Sequence, residues 1–393
     1  MNNCRVLLKP KKEESLRRFH PWVFSGAINK IAGNPEEGEL VDVYSAAGDF
    51  LAVGHYQIGS IAVRVLSFTP IEIDASFWQE RIRVAYQLRR SLKLAGVENN
   101  NTYRLIHGEG DSLPGLIIDV YANTAVIQAH SVGMHLARKQ IADALHAEII
   151  EINNIYYKSD ATLPFKANLE NEDGYLYDGK EIETAIENGL LFHVDWVKGQ
   201  KTGFFVDQRE NRSLLEFYST GRSVLNMFCY TGGFSFYAMR GGANLVHSVD
   251  SSAKAISLTK QNVELNFPGD ERHEAFADDA FKYLDKMGDN YDLIILDPPA
   301  FAKHKNVLRN ALQGYRKLNA IAFEKIKPGG ILFTFSCSQV VSKENFRLAV
   351  FSAAAQSGRN VRILHQLTQP ADHPVNIYHP EGEYLKGLVL FVE

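Results

Sequence analysis

The residues best suited to chemistry are a cysteine and an aspartate that each close an apolar run. Ile331-Leu332-Phe333-Thr334-Phe335-Ser336 leads into Cys337-Ser338, and Leu293-Ile294-Ile295-Leu296 stops at Asp297-Pro298-Pro299. Two buried parallel strands ending side by side would set a thiol next to a carboxylate and a rigid Pro-Pro turn. That arrangement suits nucleophilic attack on a flat heterocycle. The chain has three cysteines, Cys4, Cys229 and Cys337, so Cys337 is not part of a disulfide framework. A small buried apolar residue is the commoner fate of a cysteine, and its place after a strand is what favours catalysis here.

Three further apolar runs end in comparable fashion. Ser223-Val224-Leu225-Asn226-Met227-Phe228 runs into Cys229-Tyr230-Thr231-Gly232-Gly233, where glycines at a strand-to-helix turn let a ligand approach the backbone. Leu245-Val246-His247-Ser248-Val249 ends at Asp250-Ser251, with Asp250 placed 18 residues after Gly232 to accept from ribose hydroxyls. Glu274-Ala275-Phe276-Ala277 ends at Asp278-Asp279, where a carboxylate can take the exocyclic amine of an adenine. Helix capping alone would explain any one of these aspartates, but it explains the series poorly. Ligands of an open parallel sheet bind beyond the carboxyl ends of its strands. There is no Gly-x-Gly-x-x-Gly, so Gly232-Gly233 with Asp250 fits S-adenosylmethionine better than a dinucleotide.

These residues need elements to hold them. At 393 residues the chain is long enough for two or three domains. Residues 1–70 read as short strands with glycine turns, a small β-barrel; residues 71–188 read as a central mixed α/β domain with a helix from Asp74-Ala75-Ser76-Phe77. That helix carries Phe77, Ile82, Ala85 and Leu88 at helical spacing, with Arg81, Arg83, Arg89 and Arg90 among them. Residues 189–393 alternate strand and helix as a doubly wound Rossmann-like sheet does. His107, Glu109 and Asp111 fit a hydrogen-bonded turn better than a metal centre, and no metal site is expected. Hydrophobic content of 45% and charged content of 22% are ordinary for a soluble protein, and a net charge of −4 gives no global nucleic-acid signature. Any RNA contact must come from local patches, such as Arg5, Lys9, Lys11, Lys12, Arg17 and Arg18 before His20-Pro21-Trp22-Val23-Phe24. No apolar stretch is long enough for a membrane span, and the cysteine usage suits a cytoplasmic protein.

Thr231-Gly232-Gly233, Asp250, Asp278-Asp279 and Asp297-Pro298-Pro299 resemble the ordered motifs of class I S-adenosylmethionine-dependent methyltransferases. With Lys198-Gly199-Gln200-Lys201-Thr202-Gly203-Phe204-Phe205-Val206-Asp207-Gln208-Arg209-Glu210-Asn211-Arg212 and Phe335-Ser336-Cys337-Ser338, nearly the whole chain resembles the RlmI-like family. Members of that family carry a PUA domain, a central domain and a methyltransferase domain, and make 5-methylcytosine in large-subunit (23S) rRNA. The resemblance implies Cys337 as nucleophile, with Asp297 on the pyrimidine edge. It implies cofactor contacts from Phe205, Gln208, Arg209, Phe228, Tyr230, Thr231, Gly232, Asp250, Ser251, Asp278, Asp279, Asp297 and Pro298. Pro299 and Lys303 would meet the substrate base, and Lys201 and Arg212 could instead meet phosphate. Lys303, His304 and Lys305 are the candidate cations for activating Cys337. RNA is the implied partner, and a homodimer is compatible with the reading.

One departure stands out. Many RNA cytosine-5 enzymes carry a second cysteine after the proline of the fourth-strand motif, and here Ala300 follows Pro299. A two-cysteine release step is not available there, which leaves the proton-removing base unassigned. Uridine-5 methylation, transfer to an exocyclic amine, and a non-catalytic RNA-binding or ribosome-assembly factor are the rival readings.

Overall fold

A computed structural model describes residues 4–164, 169, 173–179, 181–288, 290–302 and 304–393. The chain divides into two compact units. The first contains Met1–Gly189, Val194–Val206 and Ala371–Gly382; the second contains Leu190–His193, Asp207–Pro370 and Glu383–Glu393. Among the described residues, no helix is long and apolar enough to cross a membrane.

The first unit holds two sheets. Strands β1 (Cys4–Leu8), β2 (Trp22–Phe24), β3 (Ile28–Ala32), β4 (Leu40–Tyr44), β5 (Phe50–Tyr56) and β6 (Ile61–Ser67), with the short helix α1 (Glu14–Arg17), form the N-terminal part. Their order is β2-β6-β5-β4-β1-β3. In β4 burial alternates residue by residue, so Val41 and Val43 enter a core with Val6, Leu8, Val23, Val63 and Val65. The central part orders β11 (Gly174–Tyr177), β10 (Asn154–Tyr157), β9 (Thr124–Ala129), β8 (Leu116–Tyr121) and β7 (Thr102–His107) into one sheet. Helices α2 (Ala75–Ser91), α3 (Val132–Leu136) and α4 (Arg138–Glu148) accompany it, followed by a short strand β12 (Ala185–Glu187).

Asp74 caps α2 by accepting from the Phe77 N–H at 3.0 Å. The buried face of α2 is Phe77, Trp78, Ile82, Ala85 and Arg89, while Leu88 is exposed. The sequence pattern put Leu88 on the apolar face, and the structure corrects it. Arg89 takes the inward position because Asp111 meets its guanidinium with two bonds of 2.5 and 2.8 Å and the Arg104 and Asp372 carbonyls each take one more proton. A buried pair of this kind is destabilising by about 3–5 kcal/mol when one partner is removed. Asp111 also accepts from the His107 N–H at 2.6 Å, and Glu109 from Trp22 Nε1 at 2.8 Å. Both acids of that turn are thus engaged in structural hydrogen bonds.

The segment 194–206 is tied to the central sheet. Thr202 donates to Asp119 at 2.6 Å, and Lys158 Nζ donates to the Trp196 and Gly199 carbonyls at 2.6 Å each. Gly203 has φ +116°, and a Cβ there would lie 2.9 Å from the Trp196 Cα. The Lys-Thr-Gly-Phe stretch therefore packs this segment onto its own unit.

The second unit begins with the short strand β13 (Leu190–Phe192) and α5 (Arg209–Tyr218). Then β14 (Ser223–Met227), α6 (Gly233–Arg240), β15 (Leu245–Asp250), α7 (Ala253–Asn266), β16 (His273–Ala277), α8 (Ala280–Lys286), β17 (Leu293–Leu296), α9 (Leu308–Lys325), β18 (Gly330–Ser336) and α10 (Lys343–Ser357) alternate. The unit closes with β19 (Val361–Leu367) and β20 (Lys386–Val392). The seven-stranded order is β16-β15-β14-β17-β18-β20-β19. β14 through β18 are mutually parallel where they pair, whereas β20 runs antiparallel between β18 and β19. This is a Rossmann-like α/β sheet, and its strand order reverses at β14, which has β15 on one side and β17 on the other. That switch point is where such sheets open a ligand crevice.

Candidate active site

The turn after β14 is built under backbone constraint. Phe228, Tyr230 and Gly232 all take left-handed φ values of 59°, 49° and 87°. The non-glycine positions each cost roughly 1–2 kcal/mol, so the surroundings must hold them. Cys229 N–H donates to the Val249 carbonyl at 3.0 Å, and Thr259 Oγ1 donates to the Tyr230 carbonyl at 3.0 Å. A Cβ on Gly232 would lie 2.7 Å from the Phe236 ring and from the Thr259 methyl, so only glycine fits. Beneath the turn, Asn226 Nδ2 bonds Ser235 Oγ at 3.0 Å, Ser235 meets Ser248 at 2.6 Å, and Ser248 meets His273 at 2.8 Å. Burial, helped by His247 and Lys260, lowers the His273 pKa to about 4, so this network is neutral at physiological pH.

Asp250, the last residue of β15, reaches back across the turn. Its carboxylate accepts from the Tyr230 N–H at 3.0 Å and the Ser252 N–H at 2.9 Å. A carboxylate offers about four acceptor sites, so ribose hydroxyls can still be received. Ser251 is exposed beside it. Asp278 accepts from the Asp279 N–H at 2.8 Å, and its own N–H donates to the Asp250 carbonyl at 3.1 Å. Asp279 caps α8 through the Lys282 N–H at 3.0 Å. A left-handed turn at β14 and carboxylates ending β15, β16 and β17 match a nucleoside that carries a sulfonium cation.

Cys229 shares this turn but is nearly enclosed, packed with Ile256 and Ala275. Burial first, and the Asp250 charge second, push its thiol well above the usual range. Phe205 falls in the first unit, with Lys201 Nζ 4.8 Å from its ring centre. Gln208 and Arg209 fall in the second, at the start of α5, and the Arg209 side chain is buried. Arg212 extends beside Gly233, 3.2 Å from where a Cβ would sit.

At the end of β17, Gln208 Nε2 donates to Asp297 Oδ2 at 3.0 Å, and Asn211 Nδ2 donates to Gln208 Oε1 at 2.6 Å. The second bond fixes which end of the amide faces the carboxylate. Pro298 is buried and Pro299 is exposed. Below lies Tyr315, whose hydroxyl accepts from Ser336 Oγ at 2.9 Å. Burial raises the Tyr315 pKa to about 12; Ser336 opposes this, while the charges of Cys337 and Asp297 add to it. Tyr315 therefore senses both proposed catalytic groups.

Cys337 is one residue past β18 and partly exposed. Ser336, its neighbour, pairs in register with Lys386 on β20. Lys386 Nζ donates to the Ser338 carbonyl at 2.6 Å, and Ser338 Oγ donates to the Ala302 carbonyl at 2.6 Å. Lys386 is only 6% exposed. Burial lowers its pKa to about 8, with the Cys337 charge pulling it back up, Lys343 pushing it down and Glu383 raising it. His304 and Lys305 are solvent-exposed, and Lys303 lies outside the described residues. Among the described residues, Lys386 is a buried cation at the Cys337 strand end whose charge couples to that of the thiol, and the sequence reading missed it. Its only signal was a lysine heading the apolar run Gly387-Leu388-Val389-Leu390.

Residues 171–381 match the S-adenosylmethionine-dependent methyltransferase family, and residues 6–68 match the PUA-like domain family. The ribosomal RNA large subunit methyltransferase I of Aeromonas hydrophila is 41% identical, covering 99% of both chains. The protein of the same name from Tolumonas auensis is 42% identical over 98% of both. A putative SAM-dependent methyltransferase from Streptococcus mutans superimposes with a TM-score of 0.83 at 23% identity, covering 99% of this chain and 100% of its own, which is a likeness of fold. The chain uses S-adenosylmethionine and belongs to the ribosomal RNA large subunit methyltransferase I family.

Proposed function

We propose that this protein methylates carbon 5 of a cytosine in large-subunit (23S) ribosomal RNA through a covalent adduct with Cys337. The observation that carries the reading is the lysine buried at the Cys337 strand end, beside the strand that ends in Asp297. β17 and β18 align Leu296 with Thr334, so Cys337 lies two residues further along than Asp297, about 7 Å of strand rise. The names of the relatives supply the class of RNA. Such RNA is met in the cytoplasm.

Carbon 5 of a pyrimidine is a poor nucleophile. The Cys337 thiolate adds to carbon 6, forming a carbon–sulfur bond and moving electron density to carbon 5. The Lys386 ammonium favours the thiolate that starts this step. Asp297 accepts a hydrogen bond from the pyrimidine edge and so favours protonation at ring nitrogen 3. S-adenosylmethionine, held by the Gly232 turn, Asp250 and Asp278, supplies the electrophilic methyl group. Loss of the carbon 5 proton then breaks the carbon–sulfur bond and returns the thiolate. Ala300 offers no second thiol for that release. The PUA-like domain exposes Phe19 and Phe24, which suits stacking on bases, and carries Arg17 and Arg18, paired here with Asp49 and Glu14, at its surface.

RNA in which 5-fluorocytosine replaces cytosine tests the chemistry. Fluorine cannot leave as a proton does, so the reading expects a Cys337-linked complex stable to denaturing gel, formed only with S-adenosylmethionine. Turnover without any adduct would favour transfer to an exocyclic amine, and an adduct confined to 5-fluorouracil would favour uridine.

A further inference from the structure

The first unit brings together two histidines and a glutamate from opposite ends of the chain. We propose that His20, His379 and Glu381 bind a divalent metal ion of the zinc class, which clips the 371–382 segment to the N-terminal sheet. One ligand atom from each lies within 4.8 Å of the others. Glu381 Oε2 is 3.8 Å from His379 Nε2 and 3.9 Å from His20 Nε2. With bonds near 2.1 Å, two tetrahedral ligands sit about 3.4 Å apart. The two carboxylate–imidazole gaps close by about half an ångström through the half-exposed Glu381 side chain, and the two imidazoles, within 4.8 Å of each other, close by up to about 1.4 Å through the less buried His20.

A second observation, independent of the clustering, points to a ligand. His379 is 3% exposed, and neither ring nitrogen has a hydrogen-bond partner. Buried polar atoms are ordinarily satisfied, and orphaned ones call for an explanation. The ring is held edge-on to Trp22, with centres 4.3 Å apart, and Trp22 is itself fixed by Glu109. His20 Nδ1 accepts from the Trp22 N–H at 3.2 Å and lies 3.4 Å from the Trp22 carbonyl, so binding a metal through Nε2 takes the other tautomer, in which Nδ1 donates to that carbonyl as the outer support of a metal-bound histidine.

Two imidazoles and one carboxylate select zinc or a similar borderline ion, with water completing the tetrahedron. Calcium and magnesium would demand an all-oxygen set. The sequence could not show this site, because His20 and His379 are brought together only by the return of the 371–382 segment to the first unit.

The test uses the full chain stripped with a chelator, then titrated with zinc, with cobalt as the spectroscopic probe. His379→Phe keeps a ring against Trp22 and removes both nitrogens; Glu381→Gln alters an exposed side chain and puts no load on the fold. The expected result is one zinc per chain, a zinc-dependent rise in Tm, and affinity weakened about tenfold or more in each variant, at least the loss that follows from removing a mere outer support. Cobalt should show visible d–d bands without thiolate charge transfer. Failure to bind zinc, wild-type affinity in either variant, or a thiolate band would each overturn the proposal.

Discussion

Two thiols stand at the same edge of the seven-stranded sheet. Cys229 lies two residues beyond β14 and Cys337 one residue beyond β18. Each is coupled to an ionisable side chain contributed by the adjacent strand. For Cys229 that is Asp250 of β15; for Cys337 it is Lys386 of β20. Burial and the carboxylate together keep Cys229 a thiol, while the strand end that carries Cys337 receives the ammonium of Lys386 at the Ser338 carbonyl. The two thiols share a place at a strand end and differ in exposure and in the sign of the neighbouring charge, which is what the proposed nucleophilic role of Cys337 rests on.

The sharpest way to break this comparison is to remove each sulfur. Cys337→Ala should reduce methyl transfer by about 10⁴-fold or more, the scale seen when an enzyme loses its nucleophile. Cys229→Ala should leave the rate within about threefold, because its sulfur does no chemistry. Single-turnover transfer of labelled methyl groups to RNA reads both. A comparable loss in the two variants would mean that the cofactor turn, not the thiol, limits the reaction.

Asp297 stands on β17, between the two strands that lead to the thiols. Asp297→Asn keeps the shape and the contact with Gln208 but removes the charge. The expected cost is about 10²–10³-fold in kcat, as for the loss of one preorganised electrostatic partner. If the substrate KM rises instead with kcat unchanged, Asp297 binds the base without assisting its attack.

The strand ends of the candidate site were legible, because each apolar run stops at a residue with its own signature: Gly232, Asp250, Asp278, Asp297 and Cys337. Periodicity locates such stops without knowing which strands are neighbours. What it could not supply was the insertion of β20 between β18 and β19, which brings Lys386 to a carbonyl 48 residues earlier in the chain. Sequence proximity pointed instead to Lys303, His304 and Lys305; His304 and Lys305 are exposed, and Lys303 lies outside the described residues. Arg89 hid for a related reason. A charged residue reads as surface until its partner, Asp111, is known to lie against it. Likewise nothing in the sequence marks residues 194–206 and 371–382 as belonging with the first unit.

Lys386 gives the intermediate effect. An opposite charge within a few ångströms lowers a group's pKa by about 1–3 units. Lys386→Met should therefore move the acid limb of the pH–rate profile upward by about one unit and slow transfer at pH 7 about tenfold. Iodoacetamide modification of Cys337 should slow in parallel, while Cys229 stays unreactive in both proteins. An unchanged alkylation rate would remove Lys386 from the activation of the thiol.

The smallest effect is on stability, and its sign can be worked out. The folded-state pKa of Lys386 is depressed from 10.5 to about 8. Below pH 8 the lysine is charged whether folded or unfolded, so the cost of burying the charge is carried in full. Between pH 8 and 10.5 the unfolded chain holds the proton that the folded chain has released, so wild-type stability rises with pH. Lys386→Met lacks this titration. Its stability relative to wild type should thus be highest near neutrality and decline on going to pH 10, by on the order of 1 kcal/mol. The loss of the donor to the Ser338 carbonyl lowers the variant at every pH, so the slope between the two proteins, not the offset, is the measurement. Urea midpoints at pH 7 and 10 read it. Parallel curves would mean that Lys386 stays charged through this range, as a tight pairing with the Cys337 thiolate would require, and would bind the two residues more closely than burial alone predicts.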